Sequence, residues 1–400
     1  MNRNIKLLAG ISEKEPRIIV GLMSGTSLDG LDIALCEFRG SGTETEVKVL
    51  NFETLAYDKI TKQRIRSIFS KEEVKLQDVC VFNSWLGELM GEMVLQALSE
   101  WNINSEDVDC IASHGQTIYH APISVHGDAN MPNSTLQIAD SDHIARKTGI
   151  ITIADFRQKH TAAGGEGAPL AAYGDFMLFD HKDEQRVLLN IGGIGNFTYL
   201  DGSGQPENVF TTDTGPGNTL IDALIRKHYE DKYYDEDGKM ASHGKVNDDL
   251  LCTMLNDSFF KLPLPKSTGP EVFNLDFVDK YLSKTNNRDI EIQDLIATLT
   301  MLTVKSISNV VREVALNDQK FTLYVSGGGA QNKTMMKWLQ ESLDGTDVKD
   351  FESLGILPDA KEAVLFALLA NETLAGEGIP FKNRNGDIEN LSLGKISFPH

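Results

Sequence analysis

A chain of 400 residues has room for two domains, each with a full core, and 41% hydrophobic with 24% charged residues is the balance of a globular fold. The formal net charge of −20 argues against nucleic-acid or anionic-membrane binding, because both need a positive footprint. It leaves open a phosphate-bearing ligand held by backbone N–H groups and a divalent metal.

Residues 1–17 contain one short apolar stretch, 5–11, without a cleavage site, so no signal peptide is expected. Residues 18–23 and 32–38 read as strands around the polar turn Ser24-Gly25-Thr26-Ser27-Leu28-Asp29-Gly30. A simple hairpin needs only Asn-Gly or Asp-Gly, so this turn carries more polar chemistry than turning requires. Residues 47–57 continue in β-rich alternation, and 83–101 read as a helix with Leu86, Leu89, Met90, Met93, Val94 and Leu98 at helical spacing. A short buried strand, 108–112, runs into the polar segment Ser113-His114-Gly115-Gln116-Thr117. At the C-terminal end of an α/β strand, His114 and Gln116 are ligand candidates, although a lone histidine there is more often structural.

Residues 150–154 read as a strand, which puts Asp155 at its end. A carboxylate so placed can act as a general base on a hydroxyl or water. The plainer reading is a helix cap or an ion pair with Arg157, whose guanidinium could instead orient an anion. A similar rhythm then restarts, with strands at 187–191, 197–200 and 209–212, a helix at 218–229, a long helix at 292–316, a strand at 321–325 and helices at 333–343 and 360–374. The apolar window 295–311 is broken by Lys305 and hydroxyls and reads as a buried helix. Glu362 falls on the first turn of the last helix, where a dipole or capping effect is the ordinary reading. Cys36, Cys80, Cys110 and Cys252 show no CxxC spacing, which predicts reduced, mostly buried thiols in a cytoplasmic protein.

Strand–glycine turn–strand units thus occur twice, predicting two α/β lobes, with ligands in the cleft between them. The expected boundaries are 1–140 plus 375–400 for the first lobe and 141–374 for the second. Four glycine turns sit at strand ends: the one at 24–30, "NIGGIGN" with Gly192, Gly193 and Asn196, "DTGPGN" with Asp213, Gly215 and Gly217, and "SGGGAQN" with Gly327 and Gly328. Glycine lets a backbone approach a phosphate, and a helix N-terminus adds partial positive charge. One such turn is a weak signal, but four point to a nucleotide. None is a P-loop, so charge neutralisation would fall to backbone amides and a metal, with Asp29 and Asp213 as candidate Mg²⁺ ligands.

Taken together, "GLMSGTSLDGLDIAL", "ASHGQTIYH", "LQIAD", "IADFR", "AAGGEGAPL", "LNIGGIGNFTYL", "DTGPGN", "KSTGPEVFN", "VSGGGAQN" and "DAKEAVLFALLA" resemble the anhydro-N-acetylmuramic acid kinase family, within the actin/hexokinase/Hsp70-like ATPases. The resemblance implies two ribonuclease-H-like α/β domains with ATP and Mg²⁺ in the cleft, and a homodimer. It makes Gly25, Thr26, Ser27, Leu28, Asp29, Gly30, Leu31 and Asp32 the first phosphate-binding turn, the Gly192 and Asp213 segments the second, and the Gly327 segment the adenosine side. It implies hydrolytic opening of 1,6-anhydro-N-acetylmuramic acid with phosphorylation of O6. In that reading Asp155 is the base on water and Glu362 supports it, while His114, Gln116, Asp140 and Arg157 bind the sugar. An ordinary amino-sugar kinase, an actin-like module and a glycosidase are the alternatives.

Overall fold

The computed structural model describes residues 2–167, 170–182, 184–314, 321–382 and 388–400. Residues 168 and 169 of the "AAGGEGAPL" segment, and 315 and 316 of the predicted long helix, lie outside them. The chain forms two compact units, Met1–Leu178 with Asp359–His400, and Phe179–Pro358. This corrects the expected boundaries of 140/141 and 374/375. The reason is pairing: the strand at 152–154 is hydrogen-bonded in the first sheet, and the helix at 361–375 packs on that sheet's first strand.

In unit 1 the strands are β1 (Arg17–Ser24), β2 (Gly30–Arg39), β3 (Glu46–Ala56), β4 (Cys110–Ala121), β5 (Ser134–Ile138) and β6 (Thr152–Ala154). Unit 2 contributes β7 (Gln185–Ile191), β8 (Ile194–Leu200), β9 (Phe210–Pro216), β10 (Phe321–Ser326) and β11 (Asp347–Asp350). The returning chain adds β12 (Ile379–Lys382), β13 (Ile388–Leu391) and β14 (Lys395–Ser397) to unit 1. The first sheet has the order β14-β6-β4-β1-β2-β3, with β5 also on β4, and the second has β11-β10-β7-β8-β9. In each, three antiparallel strands meander and the next strand returns parallel to the first. This shared order is ribonuclease-H-like in both units and meets the expected α/β fold class, although the two sequences do not read as a repeat.

Central strands covered on both faces read as unbroken apolar runs, and "RIIVGLMS" of β1 is one. Gly21 interrupts it where the helix Lys361–Ala375 crosses, because a Cβ there would run into the carbonyl of Ala363. Val20, Leu22, Ile33, Met90, Val94 and Ile111 centre the core of unit 1. Leu189, Phe197, Leu224, Ile296, Ile307 and Val325 centre that of unit 2. The helix Ile292–Val314 is long and apolar enough to cross a membrane, yet most of it is buried in the unit 2 core, as expected.

Other expectations shift. The predicted strand 108–112 extends as β4 to Ala121, so His114 and Gln116 lie inside a strand. Gly115 at φ +72° and a register shift between Thr117 and Tyr119 disguise it as a turn in the sequence. The helix predicted from 83 begins at Leu76, about two turns earlier, because its first turns are largely solvent-facing and lack the apolar stripe. Cys36 and Cys110 are buried, but Cys80 and Cys252 are exposed, which corrects the expectation of mostly buried thiols.

Candidate active site

Unit 1 contains a cavity of about 410 Å³, in the range of small-molecule sites. Asn83, His114, Asp140, Asp142, Asp155 and Lys395 supply its polar wall. The fold brings them together by close packing. Gly87 and Gly91, one turn apart on the helix Leu76–Glu100, leave no room for a Cβ beside the helix Ser141–Thr148. Asp140 caps that helix from the preceding position, accepting the amide of Asp142 at 2.9 Å, and the close approach brings its backbone against Gly87. Asn83 fixes the approach, with its side-chain oxygen taking the Ala139 amide at 3.1 Å. Asp140 thus lines the cavity with one carboxylate oxygen committed to the cap.

Asp155 follows β6 at φ 59°, ψ 41°, a left-handed conformation that aspartate tolerates better than most residues. It stands at the N-terminus of the helix Phe156–Ala162, but its side chain makes no capping bond. Neither plain reading of this residue holds, since its ion pair is with Lys395 from β14 and not with Arg157. A carboxylate in strained backbone, unused by its own helix and open to a cavity, is available for chemistry.

Arg157 points elsewhere. Its Nε donates to Nε2 of His114 at 2.9 Å and its Nη1 to the Gly167 carbonyl at 2.7 Å. It is not among the residues lining the cavity. Since Nε2 of His114 accepts, Nδ1 carries the proton and donates to the Gly115 carbonyl at 3.0 Å. Burial lowers the His114 pKa to about 3, the Arg157 charge adds to the shift, and the Gly115 bond opposes it. His114 is therefore neutral at working pH. Burial also lowers the Arg157 pKa, with Glu362 opposing. Glu362 is solvent-accessible, yet the protein mass around it pushes its carboxyl up, Arg157 pulls it down, and Asp32 adds to the rise.

Gln116 does not line the cavity. Fully buried, it accepts from Ser24 Oγ at 2.5 Å, and Tyr57 donates its hydroxyl to the same Ser24 at 2.9 Å. This triad anchors the stem of the first glycine turn, a job the sequence did not reveal. On the turn itself Thr26, Ser27 and Asp29 are exposed, whereas Leu28 and Leu31 are core residues that could offer a ligand only their backbones. Asp32 lies within β2, accepts from Thr54 Oγ1 at 2.6 Å, and is raised by burial.

In unit 2 the other three glycine turns converge. Gly217 and Asn218 donate their amides to the carbonyls of Gly193 and Gly192, each at 2.8 Å. A Cβ on Gly217 would strike the Gly192 carbonyl. Gly327, at φ +81°, lies against Asn190 and Ile191, where a Cβ would stand 2.5 Å from Asn190 Oδ1. Asn196 sits in β8 opposite Asp213. By contrast, Gly25, Gly192, Gly193 and Gly328 have ordinary space for a Cβ, none nearer than 3.6 Å to another atom. Packing does not require glycine at these four.

Asp213 accepts the Thr268 amide at 2.7 Å and the Ser267 hydroxyl at 3.1 Å, both on Oδ2. The "KSTGP" segment thus supports a predicted metal ligand, which its sequence did not indicate. The Asp29 side chain is 80% exposed, with Lys62 at 4.0 Å. Among the described residues no three His, Cys, Asp or Glu side chains gather to hold a metal. Isolated carboxylates fit Mg²⁺, which commonly takes one or two protein oxygens and completes its shell with phosphates and water.

A family model described as anhydro-N-acetylmuramic acid kinase matches residues 17–399. A Pseudoalteromonas atlantica protein named anhydro-N-acetylmuramic acid kinase is 50% identical over 400 residues, the whole of both chains. One of the same name from Pseudoalteromonas translucida is 45% identical over 399 residues, again all of both. A third, from Caldanaerobacter subterraneus, is 40% identical over 392 residues, 98% of this chain and 99% of its own. With a ribonuclease-H-like sheet in each unit, these matches place the chain in the anhydro-N-acetylmuramic acid kinase family.

Proposed function

We propose that the chain hydrolytically opens 1,6-anhydro-N-acetylmuramic acid and transfers the γ-phosphoryl group of ATP to O6, giving N-acetylmuramic acid 6-phosphate for cell-wall recycling. The observation that carries this reading is Asp155, whose carboxylate leaves its own helix uncapped and opens on the cavity. Asp155 takes a proton from the water that attacks C1. The C1–O6 bond breaks, and O6 receives the phosphoryl group as ADP leaves. Neutral His114, aligned by Arg157, presents a fixed ring to the sugar. Glu362 and Asp32 tune the charge near Arg157.

The nucleotide is assigned to the bare backbones of Gly192, Gly193 and Gly328, and a phosphate to the turn that bears Gly25. Phosphoryl transfer asks the protein mainly for position and charge stabilisation. Asp213 in unit 2 and Asp29 in unit 1 are each a carboxylate that would offer Mg²⁺ an oxygen, and the ion would supply charge neutralisation for the transferring group. A cytoplasmic location and a homodimer complete the proposal.

A coupled assay with ATP and the anhydro sugar, beside N-acetylglucosamine, tests the activity. In ¹⁸O water the label is expected at C1 of the product. Phosphorylation without label would indicate an ordinary sugar kinase and overturn the hydrolytic step.

A further inference from the structure

We propose that Tyr57 is a positioning residue for phosphate: it clamps both ends of the first glycine turn and so keeps the Thr26 amide aimed outward, at a bound phosphate oxygen. The inference rests on the assignment of a phosphate to that turn, made above. Tyr57 lies just past β3, whose last residue, Ala56, pairs with Gly30 at the start of β2. The two strands are pressed together there, since a Cβ on Gly30 would strike the Leu55 carbonyl. Tyr57 therefore stands beside the turn, and its two polar groups reach opposite ends of it. Its backbone amide donates to the Asp29 carbonyl at 3.0 Å. Its hydroxyl donates to Ser24 Oγ at 2.9 Å.

The neighbours fix the direction of these bonds. Ser24 has one hydroxyl proton and gives it to Oε1 of Gln116, so toward Tyr57 it can only accept. Burial pushes the Tyr57 phenol well above its ordinary range, with the Ser24 bond opposing, so the hydroxyl keeps its proton to donate. Gln116 turns its amide nitrogen to the Gly25 carbonyl at 3.4 Å, and the Leu28 amide reaches the same oxygen at 3.3 Å. Gln116 and Leu28 are both buried, so the Gly25 carbonyl faces into the protein. In a trans peptide the N–H points opposite to the C=O. The Thr26 amide thus faces outward, at a residue that is exposed, with Ser27 exposed beside it. A backbone N–H presented in this way on a turn is a donor for an anion.

The turn would not hold this shape unaided. Leu28 sits at φ 59°, in the left-handed region that disfavours a leucine. Burial of its side chain and the two bonds from Tyr57 keep it there. With one end released, the turn relaxes and the Thr26 amide loses its aim.

The test is calorimetric binding of ATP with Mg²⁺ to wild type, Tyr57→Phe, Ser24→Ala, the double variant and Gly25→Val, with thermal melts to check folding. Tyr57→Phe keeps the ring and the backbone amide and loses only the hydroxyl. It should weaken ATP about fivefold and leave the KM for the sugar within about twofold. Ser24→Ala should weaken ATP at least as much. The double variant should bind no more weakly than Ser24→Ala alone, because Tyr57 acts through Ser24. Additive losses in the double variant would overturn the proposal. A sugar KM that rises in step with the lost ATP affinity would overturn it too, since the hydroxyl would then serve the fold at large. Wild-type ATP affinity in Tyr57→Phe, beside weak binding in Gly25→Val, sinks this inference alone. Wild-type affinity in Gly25→Val as well sinks the phosphate assignment, and this inference with it. Should Tyr57→Phe fail to fold, Ser24→Ala decides, and undiminished ATP affinity there counts against the clamp.

Discussion

Gly21 of β1 faces the carbonyl of Ala363 with no space for a side chain between them. Ala363 follows Glu362, so the contact fixes the height at which the last helix crosses the sheet and with it the position of that glutamate. Gly21→Ala is expected to push the helix outward. Overpacking against backbone should cost about 2 kcal/mol of stability and lower kcat, measured by thermal melting and by the coupled assay. Unchanged melting would show that the helix is free to move.

Asp155→Asn separates chemistry from fold. Asparagine tolerates the left-handed backbone, and the cap it would vacate was never made. Stability should stay within about 0.5 kcal/mol, while turnover falls by about 10²-fold or more. ATP binding should persist. Near-normal turnover would remove Asp155 from its role.

The glycines divide into two testable groups. Gly192→Ala and Gly328→Ala meet no obstruction and should leave the melting temperature unchanged or slightly raised, yet weaken ATP binding about tenfold or more. Gly217→Ala should destabilise the fold by driving Gly192 away. Equal ATP affinity in the first two variants would show that phosphate does not approach there. Gly25→Val belongs with them, since its Cβ would meet only Ser27 Oγ, at 3.9 Å.

Acid should weaken unit 1 through its buried histidines. Burial depresses His114 to about 3 and His160 to about 4, both below the ordinary value of 6.5. Between those values the unfolded chain binds more protons than the native one. The stability these rings contribute is therefore complete above pH 6.5 and is lost as the pH falls toward 4 and then 3, with a slope of at most about 1.4 kcal/mol per pH unit for each ring. Denaturant titrations across that window should show the decline, and His114→Gln should flatten it. A flat wild-type profile would contradict the buried, neutral assignment.

A separate lock closes unit 1. Arg17, 2% exposed, donates Nε to Asn371 at 2.8 Å and its two terminal nitrogens to the carbonyls of Lys14 and Gly40, at 2.7 and 2.6 Å. Glu372, beside Asn371, accepts the Gly42 amide at 2.9 Å. Arg17→Ala strands the buried Asn371 oxygen and frees the half-buried carbonyls of Lys14 and Gly40, and should cost about 3 kcal/mol. Chemical denaturation measures it, and a loss under 1 kcal/mol would show that water replaces the guanidinium.

What the sequence disclosed followed from pattern. Apolar runs beside glycine turns located β1, β2, β7 and β8, and the apolar run 150–154 put Asp155 at a strand end. What it concealed depended on partners far along the chain. Nothing near Gln116 signals that it grips Ser24, nor does anything near Arg157 signal that its guanidinium turns to His114. Lys395 lies 240 residues from Asp155, in a three-residue strand too short to show a period. Gly21 reads as a flaw in a strand until the helix that needs it is in place. The expected boundary falls too early for the same reason, since β6 reads as the first strand of a second lobe and instead pairs with β4 inside the first sheet.

Unit 1 is assembled from both ends of the chain, with unit 2 threaded between them. During synthesis Phe179–Pro358 emerges whole and can fold as soon as it clears the ribosome, whereas the first 178 residues must wait with β1 uncovered and Arg17 unmatched. The last forty-odd residues then bring the covering helix, the partners of Arg17 and the lysine that faces Asp155. The first unit is thus the last to be completed in the nascent polypeptide, and a message cut short before Asp359 would leave the 179–358 unit joined to one that lacks its covering helix.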